Sequence, residues 1–350
     1  MKFKLVLIIF LLPVFAILSE NEVAGQKSYQ VVCIGYYNLE NLFDTIYNPE
    51  LSNNEEFTPG GDNNWDTKRY NKKLSNMAFV ISKIAADVTP DGPALLGVSE
   101  IENRGVLEDL VKDPQIADRE YKIIHYDSPG RRGIDVALLY QEKYFLPVNS
   151  KSVELTMPED TSFRTRDQLV VSGLLNGEMI HVVVNHWPSR SGGEKRSRPK
   201  RNAAGKLARH IVDSLLMLDQ NAKILVVGDL NDDPVNPSVE QYLRAKGEKN
   251  ELEKGDLYNP MYPLYKAGIG SLAYRDRWNL FDQVIISQSL LGDDMSDFKF
   301  YKAVVFNKKY LLQKEGAYAG YPLRTFGGGV YLGGYSDHFP VYVLLIRETE

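Results

Sequence analysis

The sequence has only one cysteine, Cys33, among its 350 residues. An internal disulfide needs two cysteines and a cysteine-rich zinc site needs more, so both are excluded. Cys33 lies in an apolar run, and we predict that it is a small buried hydrophobic residue. The chain also has no excess of basic residues, since its formal net charge is −5. A general electrostatic attraction to nucleic acid is therefore absent, although a local basic patch is compatible with this composition.

Internal repeats, heptads and a glycine-rich nucleotide fingerprint are also missing from the sequence. The run Gly327–Gly329 does not lie between a strand and a helix, as such a fingerprint requires. These absences argue against repeat proteins, coiled coils and dinucleotide-binding folds. No stretch resembles an interdomain linker, so residues 26–350 are predicted to form a single domain.

The N-terminal residues have the pattern of a secretory signal. Lys2 and Lys4 precede the apolar stretch Leu5–Leu18, and the small-residue pattern Val23–Gly25 follows. The apolar stretch is 14 residues long, which is short for a membrane span. We predict a signal peptide over residues 1–25, cleavage near Gly25, export to the periplasm or cell exterior, and no membrane span in the mature chain. A retained N-terminal anchor is the alternative.

Apolar runs of strand length alternate with helical segments along the rest of the chain. Thr67–Ala86 and Asn202–Leu218 have apolar residues at spacings of three and four, and are predicted to be helices. Several strands come in adjacent pairs, so two packed mixed β-sheets flanked by helices fit better than one doubly wound sheet. The predicted strands are Gln30–Asn38, Ala94–Glu100, Tyr121–Tyr126, Asp135–Tyr140, Gln168–Leu175, Met179–Asn185, Lys223–Gly228, Phe281–Ser287 and Phe339–Leu345.

Polar side chains that suit phosphate chemistry lie at the ends of several of these strands. Three strings contain them: Gly97–Asn103 (GVSEIEN), Val226–Pro234 (VVGDLNDDP) and Tyr335–Pro340 (YSDHFP). Carboxylate and amide oxygens bind Mg²⁺ or Mn²⁺, and an imidazole moves a proton near neutral pH. Each string alone is more often a helix cap or a turn, so the hypothesis depends on their occurrence together.

The first two strands end in candidate metal ligands. Asn38 and Glu40 are two residues apart, so strand alternation places both side chains on one side, facing one metal or phosphate. Glu100 ends the second strand and offers a firmly held anionic oxygen. A simple turn at the strand end is the alternative for Asn38 and Glu40.

A histidine and a basic segment follow the strand Met179–Asn185. His186 lies beside a Trp-Pro turn, suitably placed to donate a proton to a leaving oxygen or to stabilise phosphorane charge; a histidine bonded to backbone is the alternative. The segment Arg190–Arg201, predicted to be a loop, has six basic residues and one acidic residue. We expect it to contact a phosphate backbone rather than to form only a solvated face. The expected contacts are Arg190, Lys195, Arg196 and Arg198.

Further candidates lie around the later strands. Asp229 and Asn231 follow Lys223–Gly228 on one side of the chain, where Asp229 could deprotonate a water and Asn231 could bind a phosphate oxygen. The pair Asp337-His338 precedes the last strand, and its imidazole needs a further carboxylate to fix the tautomer. Asp282 is the candidate, because an acid inside an apolar strand requires a partner.

This ordered set of residues resembles the endonuclease/exonuclease/phosphatase superfamily over essentially the whole mature chain. The matching positions are Asn38-x-Glu40, Glu100, His186, Asp229-x-Asn231, Asp282 and Ser336-Asp337-His338. The superfamily includes DNase I-like nucleases, abasic-site endonucleases, inositol polyphosphate phosphatases and bacterial sphingomyelinases. The resemblance implies a four-layer α/β sandwich. It also implies Mg²⁺ or Mn²⁺ bound mainly by Glu100, with Asn38, Glu40 and Asp337 as further ligands.

The resemblance also implies catalytic roles for His186, Asp229, Asn231, Asp282 and His338. Asp282 orients His338, and the base is either Asp229 or His338. His186 matches the histidine that DNase I-like members have and abasic-site endonucleases replace with Asn. This favours a DNase I-like or sphingomyelinase-like division. Arg132 is expected to contact phosphate, and Asp135 is expected to pair with His186 or with Arg132.

Three functions are compatible with these candidate residues and with the predicted fold. The leading hypothesis is an exported, monomeric, metal-dependent phosphodiesterase that cleaves nucleic acid, preferably DNA, by in-line attack of water. The basic segment supports it, because such a segment suits an extended polyanion. A phosphatase or a sphingomyelinase-like phosphodiesterase on the same fold is the alternative. An inactive binding module is a remote third, because every catalytic residue type is present.

Overall fold

The computed structural model describes residues 27–52 and 54–349, so the predicted signal peptide lies outside the described part of the chain. Within that part, most of the chain's strands form two large mixed sheets. The strands are β1 (Ser28–Leu42), β2 (Pro93–Ile101), β3 (Lys122–His125), β4 (Asp135–Tyr140), β5 (Phe145–Val153), β6 (Gln168–Leu175), β7 (Glu178–His186), β8 (Lys223–Asp229), β9 (Ala245–Lys246), β10 (Leu257–Tyr258), β11 (Leu272–Tyr274), β12 (Arg277–Asn279), β13 (Asp282–Ser287), β14 (Lys299–Val305), β15 (Phe326–Gly327), β16 (Val330–Tyr331) and β17 (Val341–Thr349).

The strand order places a parallel pair near the middle of each large sheet. The first sheet has the order β14-β17-β1-β2-β4-β3, and the second has the order β5-β6-β7-β8-β13-β10-β9. β1 and β2 are parallel, as are β7 and β8, while their neighbours β17, β4, β6 and β13 run antiparallel to them. The carboxyl ends of the parallel strands and the amino ends of their neighbours therefore lie at the same edge of each sheet.

Helices cover the outer faces of both sheets. The α-helices are α1 (Thr67–Lys83), α2 (Arg104–Val111), α3 (Glu194–Leu218) and α4 (Tyr262–Lys266), and the shorter helical turns are Glu55–Phe57, Ala117–Arg119, Ser238–Tyr242, Lys249–Glu251, Gln288–Leu290 and Lys309–Leu311. The Asp66 carboxylate caps α1 by accepting the Arg69 N–H. The apolar face of α1 joins the core of the first sheet, and that of α3 joins the core of the second. No helix in the described residues is long and apolar enough to cross a membrane.

The inner faces of the two sheets pack against each other. Gly97 of β2 lies at a close approach of the two sheets, because a Cβ atom there would come within 3.1 Å of Val227 and Val184 on the second sheet. The result is a four-layer α/β sandwich, which confirms the fold predicted from the sequence. Cys33 is buried in this core as expected.

Several element boundaries differ from the prediction. The helix predicted over Asn202–Leu218 begins at Glu194, so most of the basic segment Arg190–Arg201 is helical rather than a loop. Its inner face has Ser197 and Arg201 buried, which leaves no apolar periodicity to detect. The helix α2 and the edge strands β5 and β14 were not predicted. These edge strands have exposed apolar residues, which weakens the alternating pattern.

Candidate active site

The candidate site begins at one edge of the second sheet, where three polar side chains lie in adjacent strands. His186 is the last residue of β7, Asp229 is the last residue of β8, and their Cα atoms are register partners. Asp282 is the first residue of β13 and is the register partner of Asp229 on its other side. The strand pairing alone therefore brings together three residues that are far apart in sequence.

His338 and Asp282 form a hydrogen-bonded pair. The His338 Nδ1 atom lies 2.7 Å from the Asp282 Oδ2 atom, which also accepts a hydrogen bond from the Ser271 hydroxyl. Burial disfavours the imidazolium, but the carboxylates of Asp282, Asp337 and Asp229 raise the pKa of His338 well above its ordinary value. His338 is therefore held as a cation with its Nε2 atom directed toward Asp229 and Asp337, 4.0 and 3.9 Å away.

Asp229 is buried between the two histidines. Its Oδ2 atom lies 3.6 Å from His186 Nε2 and accepts a hydrogen bond of 3.2 Å from the Asn38 amide. Its Oδ1 atom accepts the Asn231 N–H. Burial raises the pKa of Asp229 to about 7, against the opposing effect of His338. A carboxylate with such a pKa can take up and release a proton near neutral pH.

The sequence predicted that Asn231 would continue the side-chain alternation of β8, but its backbone leaves the strand conformation. Its backbone is in the left-handed region, with φ of 51°, and its side-chain amide donates to the Trp187 carbonyl. The left-handed conformation turns the chain immediately after the strand ends. Asn231 therefore fixes the loop that follows His186 as well as lying beside Asp229.

His186 faces the first sheet across the cleft. Its Nε2 atom lies 3.8 Å from the Glu100 carboxylate and 3.6 Å from Asp229. Burial lowers the pKa of His186 well below its ordinary value, and the nearby cations Arg166 and Arg132 lower it further. His186 is therefore neutral at physiological pH, in contrast to His338.

Glu100 lies at the end of β2 and borders an open cleft. The Asn41 N–H donates to its carboxylate, and the Arg132 guanidinium lies 3.5 Å from the same oxygen. The cleft has a volume of about 450 Å³, and its charged lining residues are Glu40, Glu56, Glu100, Arg132, Arg324 and Asp337. Carboxylates and guanidinium groups thus alternate around one space large enough for a phosphate group.

Glu40 does not lie beside Asn38 in the way that strand alternation predicted. Glu40 and Asn41 have positive φ angles, and the pairing of β1 with β2 shifts register after Asn38. The Glu40 carboxylate accepts the Thr325 N–H and lies within 3.6 Å of both the Lys73 ammonium and the Arg324 guanidinium. Burial raises the pKa of Glu40 to about 7, although these cations oppose the shift.

The donors around the cleft fit a hard divalent cation. Glu100 and Asp337 line the cleft with carboxylate oxygens, and the buried Asn38 adds an amide oxygen that already accepts the Glu40 N–H. Such oxygens are the ligands that Mg²⁺ and Mn²⁺ prefer. Asp337 stays anionic, because His338 and Arg324 lower its pKa against the effect of burial. A second cluster, formed by Asp229, Asp282 and His338 within 4.8 Å of one another, has its imidazole and carboxylate already bonded. That cluster suits proton handling.

Three cations of the site were not found from the sequence. Lys73 is fully buried in α1, Arg324 reaches Glu40 and Asp337 from the loop before β15, and Arg166 donates to the Trp187 carbonyl. Lys73 had a detectable signal, because it lies three residues after Tyr70 and four before Met77, on the buried face of α1. Arg166 and Arg324 stand in irregular segments and have no such signal.

One sequence-based expectation about a charged residue was wrong, and a second charged residue has partners that were not expected. Asp135 pairs with His125, whose Nε2 atom lies 3.1 Å away, rather than with His186 or Arg132. His125 is the last residue of β3, and the antiparallel pairing of β3 with β4 brings its imidazole beside Asp135. Arg190 turns inward, where it binds Asp232 and the Asn231 carbonyl.

The fold and the strand-edge site define a phosphoester hydrolase. A model of the endonuclease/exonuclease/phosphatase family matches residues 33–347, and the chain belongs to this family. Among curated proteins, none matches the sequence significantly.

Solved structures with the same fold include proteins of different activity. An endonuclease/exonuclease/phosphatase family protein from Bacteroides thetaiotaomicron is 16% identical, covers 92% of this chain and 97% of its own, and has a TM-score of 0.54. D. rerio TDP2, complexed with a single-strand DNA product, is 13% identical over 90% of this chain and 98% of its own, with a TM-score of 0.54. A mannosyl-6-phosphatase from Bacteroides thetaiotaomicron is 16% identical over 90% of this chain and 99% of its own, also with a TM-score of 0.54. At these identities the likeness concerns the fold.

Proposed function

We propose that the protein is a divalent-metal-dependent phosphodiesterase that cleaves nucleic acid. The observation that carries the proposal is the pairing of a neutral and a charged histidine around Asp229, opposite Glu100 across the cleft. Hydrolysis of a phosphodiester requires a base for the water, stabilisation of charge on the phosphorus oxygens, and help for the leaving oxygen. This arrangement supplies a candidate group for each task.

Asp229 is the proposed base. Its pKa of about 7 leaves a large fraction ionised at neutral pH while keeping the carboxylate basic enough to accept a proton from water. The Asn38 amide and the Asn231 N–H hold its two oxygens in place. Between the two bases that the sequence left open, this environment favours Asp229, because His338 is already protonated.

The two histidines bind the phosphate from opposite sides of Asp229. His338, as an imidazolium fixed by Asp282, donates from Nε2 to a phosphate oxygen and stabilises the negative charge that develops there. His186 is neutral, and its Nε2–H donates to a second oxygen without adding charge. Arg132 and Arg324 line the cleft and complete the polar contacts. Asn231 supports the site by holding Asp229 through its backbone N–H and the loop after His186 through its side-chain amide.

The proposed metal ligands are Glu100, Asp337 and Asn38. When bound, the ion supplies Lewis-acid stabilisation of the phosphate and of the leaving oxygen. We assign Glu40 a positioning role, because its oxygens are held by Thr325, Lys73 and Arg324. In this arrangement Glu40 keeps Arg324 beside Asp337, where the guanidinium can reach a phosphate oxygen.

Nucleic acid is the proposed substrate, and export is the proposed location. Neighbours with this fold include a protein solved with single-strand DNA and a sugar phosphatase, so the fold supports either class. The arginines around the site favour a polyanion over a single phosphate group. The signal-like pattern of residues 1–25 supports export, and we expect a monomer.

A metal and substrate panel tests the proposal. The purified mature chain is assayed with oligonucleotides, a lipid-headgroup diester and a sugar phosphate monoester, in excess EDTA and after addition of Mg²⁺ or Mn²⁺. We expect metal-dependent cleavage of the oligonucleotides, and a loss of at least ~10²-fold in Glu100→Gln. Glu142→Gln, at an exposed glutamate, serves as the control. Full activity in EDTA, or activity on the monoester alone, would refute the proposal.

A further inference from the structure

An open pocket lies next to the candidate active site, on the side of Asp337. The hairpin β11–β12 borders two cavities of about 370 and 770 Å³ there. The segment 313–324 completes the smaller one and Arg190, Ser191 and Phe281 complete the larger one, while Tyr274, Arg275, Arg324 and Asp337 line both. Arg324 and Asp337 also line the cleft beside Glu100. A substrate whose phosphate occupied the cleft would therefore extend directly into this pocket.

The hairpin is tied to the catalytic groups at both of its ends. Ser271, just before β11, donates its hydroxyl to Asp282 and accepts the Phe339 N–H through its carbonyl. Trp278 of β12 stacks on Phe339, the residue after His338, with ring centroids 5.8 Å apart and an interplanar angle of 17°. The pocket wall thus has a fixed position relative to the His338–Asp282 pair.

The opposite wall is joined to the hairpin by a hydrogen bond. The Tyr321 hydroxyl donates to the Asp276 carboxylate over 2.7 Å, and Tyr321 contacts Tyr318 with ring centroids 5.7 Å apart. Both walls present aromatic rings to the opening, since Tyr274 is 62% exposed and Tyr318 is 46% exposed. Exposed aromatic rings at a pocket mouth are suited to stacking on a flat ligand.

The charges of the pocket identify the kind of ligand. Among the described residues, neither Arg275 nor Arg277 has a carboxylate within 4.0 Å, and Arg275 lies 5.3 Å from the Tyr274 ring centroid. We call these two adjoining cavities together the Tyr–Arg pocket: Tyr274 and Arg275 line both, Tyr318 lines the smaller one and Arg277 lines the larger one. The carboxylates that line these cavities, Asp276 and Asp337, are already bonded to Tyr321 and Arg324, so they are not free to bind the hydroxyls of a sugar ring. A nucleobase linked to a further phosphate needs both the aromatic rings and the guanidinium groups.

We propose that the Tyr–Arg pocket binds the base of a nucleotide adjacent to the scissile phosphate, and that Arg275 and Arg277 bind the next backbone phosphate. The inference rests on the proposed function and makes it more specific. A base can enter the pocket only when it is not stacked in a duplex, and unstacking costs free energy. The enzyme therefore prefers single strands, frayed ends or loops over continuous duplex DNA.

Dinucleoside phosphates with and without a base provide the test. We measure kcat/KM for a dithymidine phosphate and for two analogues in which one base, on either side of the phosphate, is replaced by hydrogen. The enzymes are wild type, Tyr274→Ala, Tyr318→Ala and the control Tyr301→Ala, at an equally exposed tyrosine on the edge strand β14. We expect a loss of about 5- to 100-fold for each pocket variant on the complete dinucleotide, and none for Tyr301→Ala.

Combining the tyrosine substitution with removal of a base distinguishes stacking on that base from a general effect of the substitution on the active site. If the tyrosine stacks on the base that one analogue lacks, the substitution should lower kcat/KM for that analogue much less than for the complete dinucleotide. Arg275→Ala with Arg277→Ala removes the contact to one phosphate, so it should make the log–log salt dependence of single-strand binding shallower by up to about 0.7. Melting temperatures check that all variants are folded.

Three outcomes would overturn the inference. Equal losses on complete and base-free substrates would show that the tyrosines shape the active site, and unchanged kcat/KM in both tyrosine variants would show that no base binds there. If dinucleotides are cleaved normally but duplex and single strands are cleaved equally, the strand preference is wrong. Failure of the proposed function gives a different result, namely no cleavage of any nucleotide diester. In that case, a tyrosine-dependent hydrolysis of a sugar phosphate would assign the pocket to a sugar ring.

Discussion

The strand-edge site and the start of helix α3 both stand out in the sequence as clusters of charged residues, yet they fold in opposite ways. At the strand edge, ligand atoms of Asp229, Asp282 and His338 come within 4.8 Å of one another. Around the start of α3, Arg201 is fully buried against Asp232, and Arg190 binds the same carboxylate. Arg198 pairs with Glu194 on the helix surface. The first cluster converges on one point, whereas three of the six basic residues of the second, Arg190, Arg198 and Arg201, are neutralised by carboxylates.

The difference follows from backbone geometry. The residues at the ends of paired strands are held at one edge by the register, so their side chains point into the same space. Successive residues of a helix point in directions about 100° apart, so a basic run is distributed around the axis and part of it is buried. Of the four phosphate contacts expected in this segment, only Lys195 and Arg196 have no carboxylate within 4.0 Å among the described residues.

The largest effect is expected at the centre of the strand edge. Asp229→Asn keeps the shape of the side chain but removes the proposed base, so kcat should fall by about 10³- to 10⁴-fold. Asp118→Asn, at an exposed aspartate in a helical turn, should leave kcat unchanged. Both are measured on an oligonucleotide with saturating metal. A loss in Asp229→Asn of less than tenfold would assign the base to another group.

A smaller loss is expected from the pair that orients the second histidine. His338→Ala and Asp282→Asn should each lower kcat/KM by about 10²- to 10³-fold, and the double variant should lose little more, because the two act as one unit. Multiplying losses in the double variant would show that they act separately.

The pH profile of Asp282→Asn provides a second readout for the same pair. In the wild type the carboxylates raise the pKa of His338, and activity that needs the imidazolium is lost as the pH rises through that value. Removing the Asp282 charge lowers the pKa, so the alkaline limb of kcat/KM should move to lower pH. A limb that stays in place would show that His338 is not the group that titrates there.

The sequence predicted the strand-edge site because strand pairing converts sequence position into spatial position. The ends of β2, β7 and β8, and the starts of β13 and β17, could be located from their apolar runs, and the polar residues beside them converge. The direction of side chains could not be predicted where the strand pairing is interrupted, as after Asn38, or where it ends, as after Asp229. Glu40 and Asn231 both adopt left-handed conformations there, and the partners of Glu40 come from α1 and from the loop before β15. Those contacts depend on tertiary packing, for which the local pattern holds no signal.

Substitutions of the buried charged residues at the start of α3 should lower the stability of the protein. Arg201→Met leaves the buried Asp232 without one of its two guanidinium partners, so the free energy of unfolding should fall by about 3 kcal/mol. Lys195→Met, at an exposed position of the same helix, should change it by less than about 0.5 kcal/mol. Urea denaturation of both variants measures the difference. Equal stability would mean that Arg201 is not essential to the charge balance of this segment.

The smallest expected effect concerns the basic residues of α3 that remain free to meet a polyanion. Neutralising Lys195 and Arg196 removes at most two phosphate contacts, so the log–log salt slope should become shallower by up to about 1.8 on duplex DNA and about 1.4 on single strands. Arg198→Gln should change the slope by less than the substitution of Lys195 or of Arg196 alone, because the Arg198 guanidinium is already paired with Glu194. The substrate is an oligonucleotide long enough to span from the active site to α3, and kcat/KM is measured over a salt series. Cleavage of a dinucleoside phosphate should be unaffected, since it is too short to reach the helix. If the slope is the same for the double variant and the wild type, the start of α3 makes no contact with the substrate. In that case the charged cluster at the strand edge acts on the substrate, and the one at the start of α3 only stabilises the fold.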